Sequence, residues 1–127
     1  MSATTVTNKA KKKMVEARAG IATLPPITKM AFGTGGVNGS GVVIDHTDAQ
    51  NALYNEVLRK NIDGYTVISD TKIRYSCTIE SGDLTDGTEI SEIGLLDSAG
   101  DFVALKSFSK KGIDTDMETI FECDDSF

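Results

Sequence analysis

Tryptophan is absent from this chain of 127 residues, and histidine occurs once, cysteine twice and proline twice; each scarcity removes a class of function. With His46 as the single histidine there is no H-x-x-x-H pair, and there is no C-x-x-C pair either, so the usual zinc ligand sets are not encoded. No metal and no cofactor are expected. Cys77 and Cys123 lie in runs that alternate as strands do and resemble neither a metal ligand set nor a redox motif. A disulfide between them requires neighbouring strands, whereas burial unpaired, as small hydrophobes, is the norm. No apolar run approaches the roughly 20 residues of a membrane helix, and the basic N-terminus leads into no hydrophobic region of a secretory signal. Synthesis and assembly in the cytoplasm are expected. No serine or cysteine sits in a nucleophile-elbow context, so acyl transfer has no support and no enzyme is expected.

What is present is the composition of a folded domain: 39% hydrophobic and 25% charged residues, enough chain for one core. The net charge of −6 is uneven. Residues 1–18 carry Lys9, Lys11, Lys12, Lys13 and Arg18 against Glu16 alone, while the remaining residues carry eight basic and eighteen acidic side chains. Such asymmetry marks either an arm for an acidic partner, including another copy of the acidic domain, or lysines that keep a surface helix soluble. The acidic body repels phosphates and has no basic stripe with interleaved aromatics, so nucleic acid is not an expected partner, nor is a membrane.

Along the chain, residues 1–8 are small and polar and should be loose unless a partner orders them. Ala10, Met14 and Ala17 recur at helical spacing, with Asn8 as a cap and Gly20 as a stop, which predicts a helix over 9–19. Its narrow stripe suits a partner groove as well as its own core, so Lys9, Lys11, Lys12, Lys13, Met14 and Arg18 are the candidate protein-interaction residues. Pro25 and Pro26 then impose an extended segment, ITKMAFG. Gly33 to Gly41 holds five glycines but neither a Gly-Lys-Ser/Thr nor a following helix, so it reads as a mobile loop or docking turn instead of a phosphate cradle. His46, although flanked by Asp45 and Asp48, reads as exposed in a loop. Thr47 and Gln50 form a capping box that predicts a short central helix over 48–55. Residues 56–62 fit helix and strand equally poorly.

Beyond Gly64 the signals are those of strands. Residues 65–69 form one, and Ile73, Tyr75, Cys77 and Ile79 alternate with polar residues in another. Residues 89–108, EISEIGLLDSAGDFVALKSF, read as strand, turn, strand; Gly100 supplies a positive φ and Asp97 bonds the backbone amides ahead of it. Met117, Thr119, Phe121 and Cys123 line a last strand. The carboxylates around it, from Asp114 to Asp125, lack the spacing of a calcium loop and read as a solvated face. The expected fold is mainly β (α+β): a single domain with an antiparallel sheet or sandwich of about five to six strands, an N-terminal helix and one short central helix. The basic arm and helix occupy 1–19 and the β-rich domain 20–127.

Glu92, Gly94, Leu95, Asp97, Gly100 and Ala104 stand in register with the pattern E-x-G-L-[FY]-D-x-x-G-x-[LI]-x-A, with Leu96 in place of the aromatic. Met30-Ala-Phe-Gly-Thr-Gly-Gly36 resembles a strand entering a Gly-rich loop, and Leu53, Glu56 and Arg59 an L-x-x-E-x-x-R segment. In this order the three segments resemble the phage tail-collar fibre family, the N-terminal, baseplate-attaching region of tail fibre proteins. The resemblance implies a structural component of the virion tail acting as a baseplate-proximal adaptor for a fibre. It also implies copies that associate with one another, as trimers, and with baseplate or tail fibre proteins. Glu92, Gly94, Asp97 and Gly100 are expected to fold the hairpin. Longer members continue into a shaft and receptor-binding tip, so host recognition is expected elsewhere. A receptor- or glycan-binding module is the alternative, resting on the Gly-rich loop and acidic loop ends.

Overall fold

The alternating run around Cys77 forms a strand, Lys72–Ile79, whose Ile79 and Cys77 are fully buried in a computed structural model that describes residues 4–127. The elements in chain order are β1 (Thr5–Val6), α1 (Asn8–Arg18), β2 (Ile27–Gly33), β3 (Glu56–Asn61), β4 (Gly64–Ser69), β5 (Lys72–Ile79), β6 (Glu89–Asp97), β7 (Phe102–Gly112) and β8 (Thr119–Ser126). They form two antiparallel sheets, a five-stranded one in the order β1-β7-β6-β2-β3 and a three-stranded one in the order β4-β5-β8. Between the sheets, Met30 and Phe32 of β2 and Ile90, Ile93 and Leu95 of β6 meet Cys77 and Ile79 of β5 and Phe121 and Cys123 of β8. Removing these side chains from water, at about 25 cal/mol per Å² of apolar surface, is the main force holding the layers together. Lys60 of β3 adds a polar tie across them by donating to Asp83 at 2.6 Å and to the Thr78 carbonyl at 2.9 Å.

The hairpin of β6 and β7 forms as its residues require. Gly100 adopts φ +87°, and one Asp97 carboxylate oxygen accepts from the amides of Ala99 at 3.0 Å and Asp101 at 3.1 Å. Cys77 lies opposite Phe121 and Cys123 opposite Tyr75, so the two thiols are diagonal across β5 and β8 and remain free. Diagonal side chains stand about 7–8 Å apart, beyond disulfide reach. Burial pushes their pKa values up, to about 11 for Cys77 and about 12 for Cys123.

Four expectations about local structure change. Of the polar N-terminus, residues 1–3 lie outside the described residues, while Thr5 and Val6 pair with Leu105 and Ala104 as an edge strand. Thr7, not Asn8, caps α1: its hydroxyl accepts from the Ala10 amide at 3.1 Å and donates to the Phe102 carbonyl at 2.8 Å. The short central helix over 48–55 is absent; the capping pair survives only as a turn in which Gln50 Oε1 accepts from the Thr47 amide at 2.6 Å. Helix cannot continue there because the Tyr54 and Asn55 amides are taken by a side chain from β6. Met117 precedes β8 and is exposed, and the strand count among the described residues rises to eight because β1 and β3 join the larger sheet.

Candidate functional site

Glu92 lies in the middle of β6, opposite Gly33 of β2 on one side and Ser107 of β7 on the other. A carboxylate inside an apolar strand must be fully bonded to remain ionised. Glu92 is 0% exposed and receives four hydrogen bonds. Oε1 accepts from His46 Nε2 at 2.8 Å and the Tyr54 amide at 2.8 Å; Oε2 accepts from the Asn55 amide at 2.8 Å and the Gly35 amide at 3.0 Å. The carboxylate therefore holds both ends of the segment 33–55 against the sheet.

The glycines make this approach geometrically feasible. A Cβ at Gly33 would collide with Glu92 Oε2, one at Gly35 would lie 2.5 Å from Tyr54 Cβ, and one at Gly36 would strike the Ser91 carbonyl. The Gly36 amide also donates to Ser91 Oγ at 2.9 Å. The Gly-rich loop is thus clamped over its first half, contrary to the expectation of a mobile or docking loop throughout. Its outer half, Asn38 to Val42, stands exposed in a turn closed by Asn38 Oδ1.

His46 is buried, with its side chain wholly inaccessible, which corrects the expectation of an exposed loop histidine. An ionised carboxylate only accepts, so Nε2 carries the hydrogen and, on the neutral ring, Nδ1 accepts from Ser107 Oγ at 3.0 Å. Tyr54 stacks on the imidazole at 4.7 Å between ring centroids and donates its hydroxyl to the Asp45 carbonyl at 2.8 Å. Ser107, His46 and Glu92 thereby form a serine–histidine–carboxylate line, but its ring nitrogens are reversed relative to hydrolytic triads. Ser107 is 1% exposed, and three backbone amides already occupy the carboxylate. A substrate carbonyl has no approach to the hydroxyl, and the arrangement acts as a lock.

The neighbouring row on the same face extends it. Gly94 leaves room for the Phe102 ring, which an added Cβ would meet at 2.6 Å. Phe102 joins Leu53, Ala31, Leu96 and Leu105 in a second apolar cluster, and Arg59 lies 5.4 Å from the centre of its ring. Glu56 holds Arg59 there through two 2.8 Å bonds. Gly94, Asp97 and Gly100 serve the hairpin as expected, Gly94 by making room for Phe102 of β7; Glu92 instead fastens other segments onto it. Sequence reading missed Ser107 and His46 because neither has a local signature. Glu92 carried a legible signal, since a charge flanked on both sides by buried strand residues needs partners.

The candidate interaction residues share α1. Lys13 reaches Asp97 at 2.6 Å and Asp101 at 2.7 Å, Lys9 reaches Asp101 at 2.8 Å, and Lys11 reaches Asp48 at 3.3 Å. Met14 lines a recess of about 60 Å³ with Leu24, Pro25, Ile27 and Phe127. Lys12 is largely exposed, with Glu16 at 4.0 Å, and Arg18 is exposed. Part of the basic arm is thus engaged by the acidic hairpin of its own chain.

Burial works against ionising Glu92, but the His46 bond and the amides of Asn55, Tyr54 and Gly35 outweigh it and hold the carboxyl below its ordinary value. Asp83, Asp101 and Asp124 are lowered as well, chiefly by Lys60, Lys13 and Arg74 respectively. A group lowered in the folded state stabilises fully above its unfolded pKa, near 4 for a carboxyl, and loses that contribution as pH falls through the folded value. Asp125, raised by burial, acts in the opposite sense. The urea midpoint is expected to hold between about pH 7 and 5 and to fall below about pH 4. Urea titrations across that range, with Glu92→Gln showing a shallower acid decline, check it.

A family model described as phage tail-collar fibre protein, N-terminal, matches residues 1–112. No curated protein and no solved structure matches the chain.

Proposed function

The chain belongs to the phage tail-collar fibre family, with a structural role in the virion tail, and from that premise we propose that it is the baseplate-proximal attachment domain of a fibre. The observation that carries this reading is where the family-like segments go. Residues 30–36, 53–59 and 92–104 converge on one buried carboxylate and its neighbouring row, so their chemistry is directed to holding shape. A rigid, catalytically closed platform suits mechanical attachment. The face left for partners includes Lys12 and Arg18 together with the exposed Val15, Ile21 and Leu24, a basic and apolar surface suited to an acidic neighbour in the tail. In this reading residues 1–19 form the partner-facing arm, residues 20–127 form the platform, and copies assemble with one another, three copies being the form that the family resemblance implies.

Lysine-directed cross-linking of assembled particles, read by mass spectrometry, tests the placement. Links from Lys11 or Lys12 to baseplate chains are the expected result. Links only to distal fibre segments, together with capture of the isolated chain on a glycan array, would favour the receptor-binding alternative.

A further inference from the structure

We propose that Asn38 is a self-modification site, at which the turn of the Gly-rich loop converts its own asparagine, through a succinimide, to aspartate and isoaspartate. When glycine follows asparagine, the next backbone nitrogen reaches the side-chain carbonyl with least hindrance, because glycine has no Cβ. Of the chain's five asparagines, Asn8, Asn51, Asn55 and Asn61 precede Lys9, Ala52, Glu56 and Ile62, and Asn38 alone precedes a glycine, Gly39. Both residues are exposed, and the space beside Gly39 is open, since an added Cβ would meet nothing within 4 Å.

The hydrogen bonds of the turn assign the reacting atoms. Asn38 Oδ1 accepts from the Ser40 amide at 2.8 Å and from the Val42 amide at 3.1 Å. Backbone N–H groups only donate, so the atom facing them is the carbonyl oxygen of the side chain. The Asn38 amide donates to the Val42 carbonyl and the Gly41 amide to the Asn38 carbonyl, both at 2.9 Å. Among the described hydrogen bonds, the Gly39 amide donates to none, so its nitrogen is the one left to react. Hydroxide takes the Gly39 amide proton, the nitrogen attacks Asn38 Cγ, the N–Cγ bond forms and the carbonyl electron pair moves onto Oδ1. Two amides are already aimed at that oxygen, the arrangement that stabilises a developing oxyanion in acyl transfer. Collapse of the tetrahedral intermediate breaks the Cγ–Nδ2 bond, and Nδ2 leaves as ammonia with a proton from water. Water then opens the ring at either carbonyl. The sum is one water in and one ammonia out, with nothing oxidised or reduced.

The products differ in what they leave of the turn. Aspartate keeps an acceptor for the Ser40 and Val42 amides and adds a negative charge, whereas isoaspartate lengthens the main chain by a methylene and opens the turn. Neither change reaches the base of the loop, where Glu92 and Ser91 hold Gly35, Gly36, Tyr54 and Asn55. The exposed tip therefore gains charge with age while the lock beneath it stays closed.

Peptide mass spectrometry of the folded chain, aged in heavy-oxygen water, tests the site. The expected result is an acid carrying heavy oxygen at position 38, formed faster in mildly alkaline than in mildly acidic buffer. The other four asparagines stay intact, and the aged chain keeps the Tm of the fresh one. Gly39→Ala is expected to slow the conversion severalfold by setting a methyl group beside the attacking nitrogen, and Ser40→Pro to slow it by deleting one of the two donors to Oδ1. An Asn38 that stays intact, or a conversion that either substitution leaves as fast as before, would overturn the proposal. The reaction requires no partner, so its outcome is independent of the tail attachment role and of the particle cross-links that test it.

Discussion

Glu92→Ala is expected to cost about 4 kcal/mol or more, a large share of the roughly 5–15 kcal/mol that holds a domain folded. The substitution removes the acceptor for the His46 ring and for the Gly35, Tyr54 and Asn55 amides. Each buried donor left unpaired costs about 1–3 kcal/mol, and the four lie on the Gly-rich loop and the 46–55 return, so they are released together. Glu92→Gln preserves the volume but turns an amide group toward donors; a loss near 2 kcal/mol is expected. Glu89→Ala, three residues away at the exposed start of β6, should change stability by less than about 0.5 kcal/mol, because its ion pair with Lys110 is solvated. Urea unfolding with amide exchange at Gly35, Tyr54 and Asn55 separates the cases. If Glu92→Ala lost less than about 1 kcal/mol and those amides stayed protected, the lock would not be what holds the segment.

Gly36→Ala should be the most damaging of the glycine substitutions in the loop, at about 2–4 kcal/mol, because its methyl group would strike the Ser91 carbonyl, a backbone atom fixed in β6. Gly39→Ala, three positions on, meets nothing within 4 Å and does not require a positive φ. Its expected effect is neutral to a gain of about 0.4–1 kcal/mol through reduced freedom of the unfolded chain. Opposite outcomes from chemically identical changes in one glycine run would show where the clamp ends. Thermal unfolding of both variants is sufficient, and equal effects would mean that the clamp does not stop at the turn.

The acid sensitivity follows from where the chain carries paired carboxylates. Carboxylates lowered by partners concentrate where segments are fastened: Glu92 over the loop, Asp101 beside the helix, Asp83 between the sheets. β4 lacks any such group, and there the chain presents bare backbone and apolar side chains.

Much of this was determined by the sequence alone. The period-2 alternation of Ile73 to Ile79, the turn chemistry of Asp97 and Gly100, the apolar stripe of α1 and the extended ITKMAFG segment all act over a few residues, where backbone geometry dictates the outcome. The likeness of three short segments to a tail-collar family was likewise legible there. Only the tertiary structure decided what those segments do. A capping box at Thr47 and Gln50 favours a helix locally, but Glu92, about forty residues on, takes the Tyr54 and Asn55 amides that would continue it. A lone histidine has no pattern of its own; His46 was assigned its burial by Glu92 and Ser107, which meet only because β6 and β7 pair in one register. The open edge at β4 is also a property of strand order, since no residue within GYTVIS states which neighbours it lacks. Local chemistry therefore wrote the strands and turns, while long-range pairing decided which buried charge needed which partner and which edge stayed free.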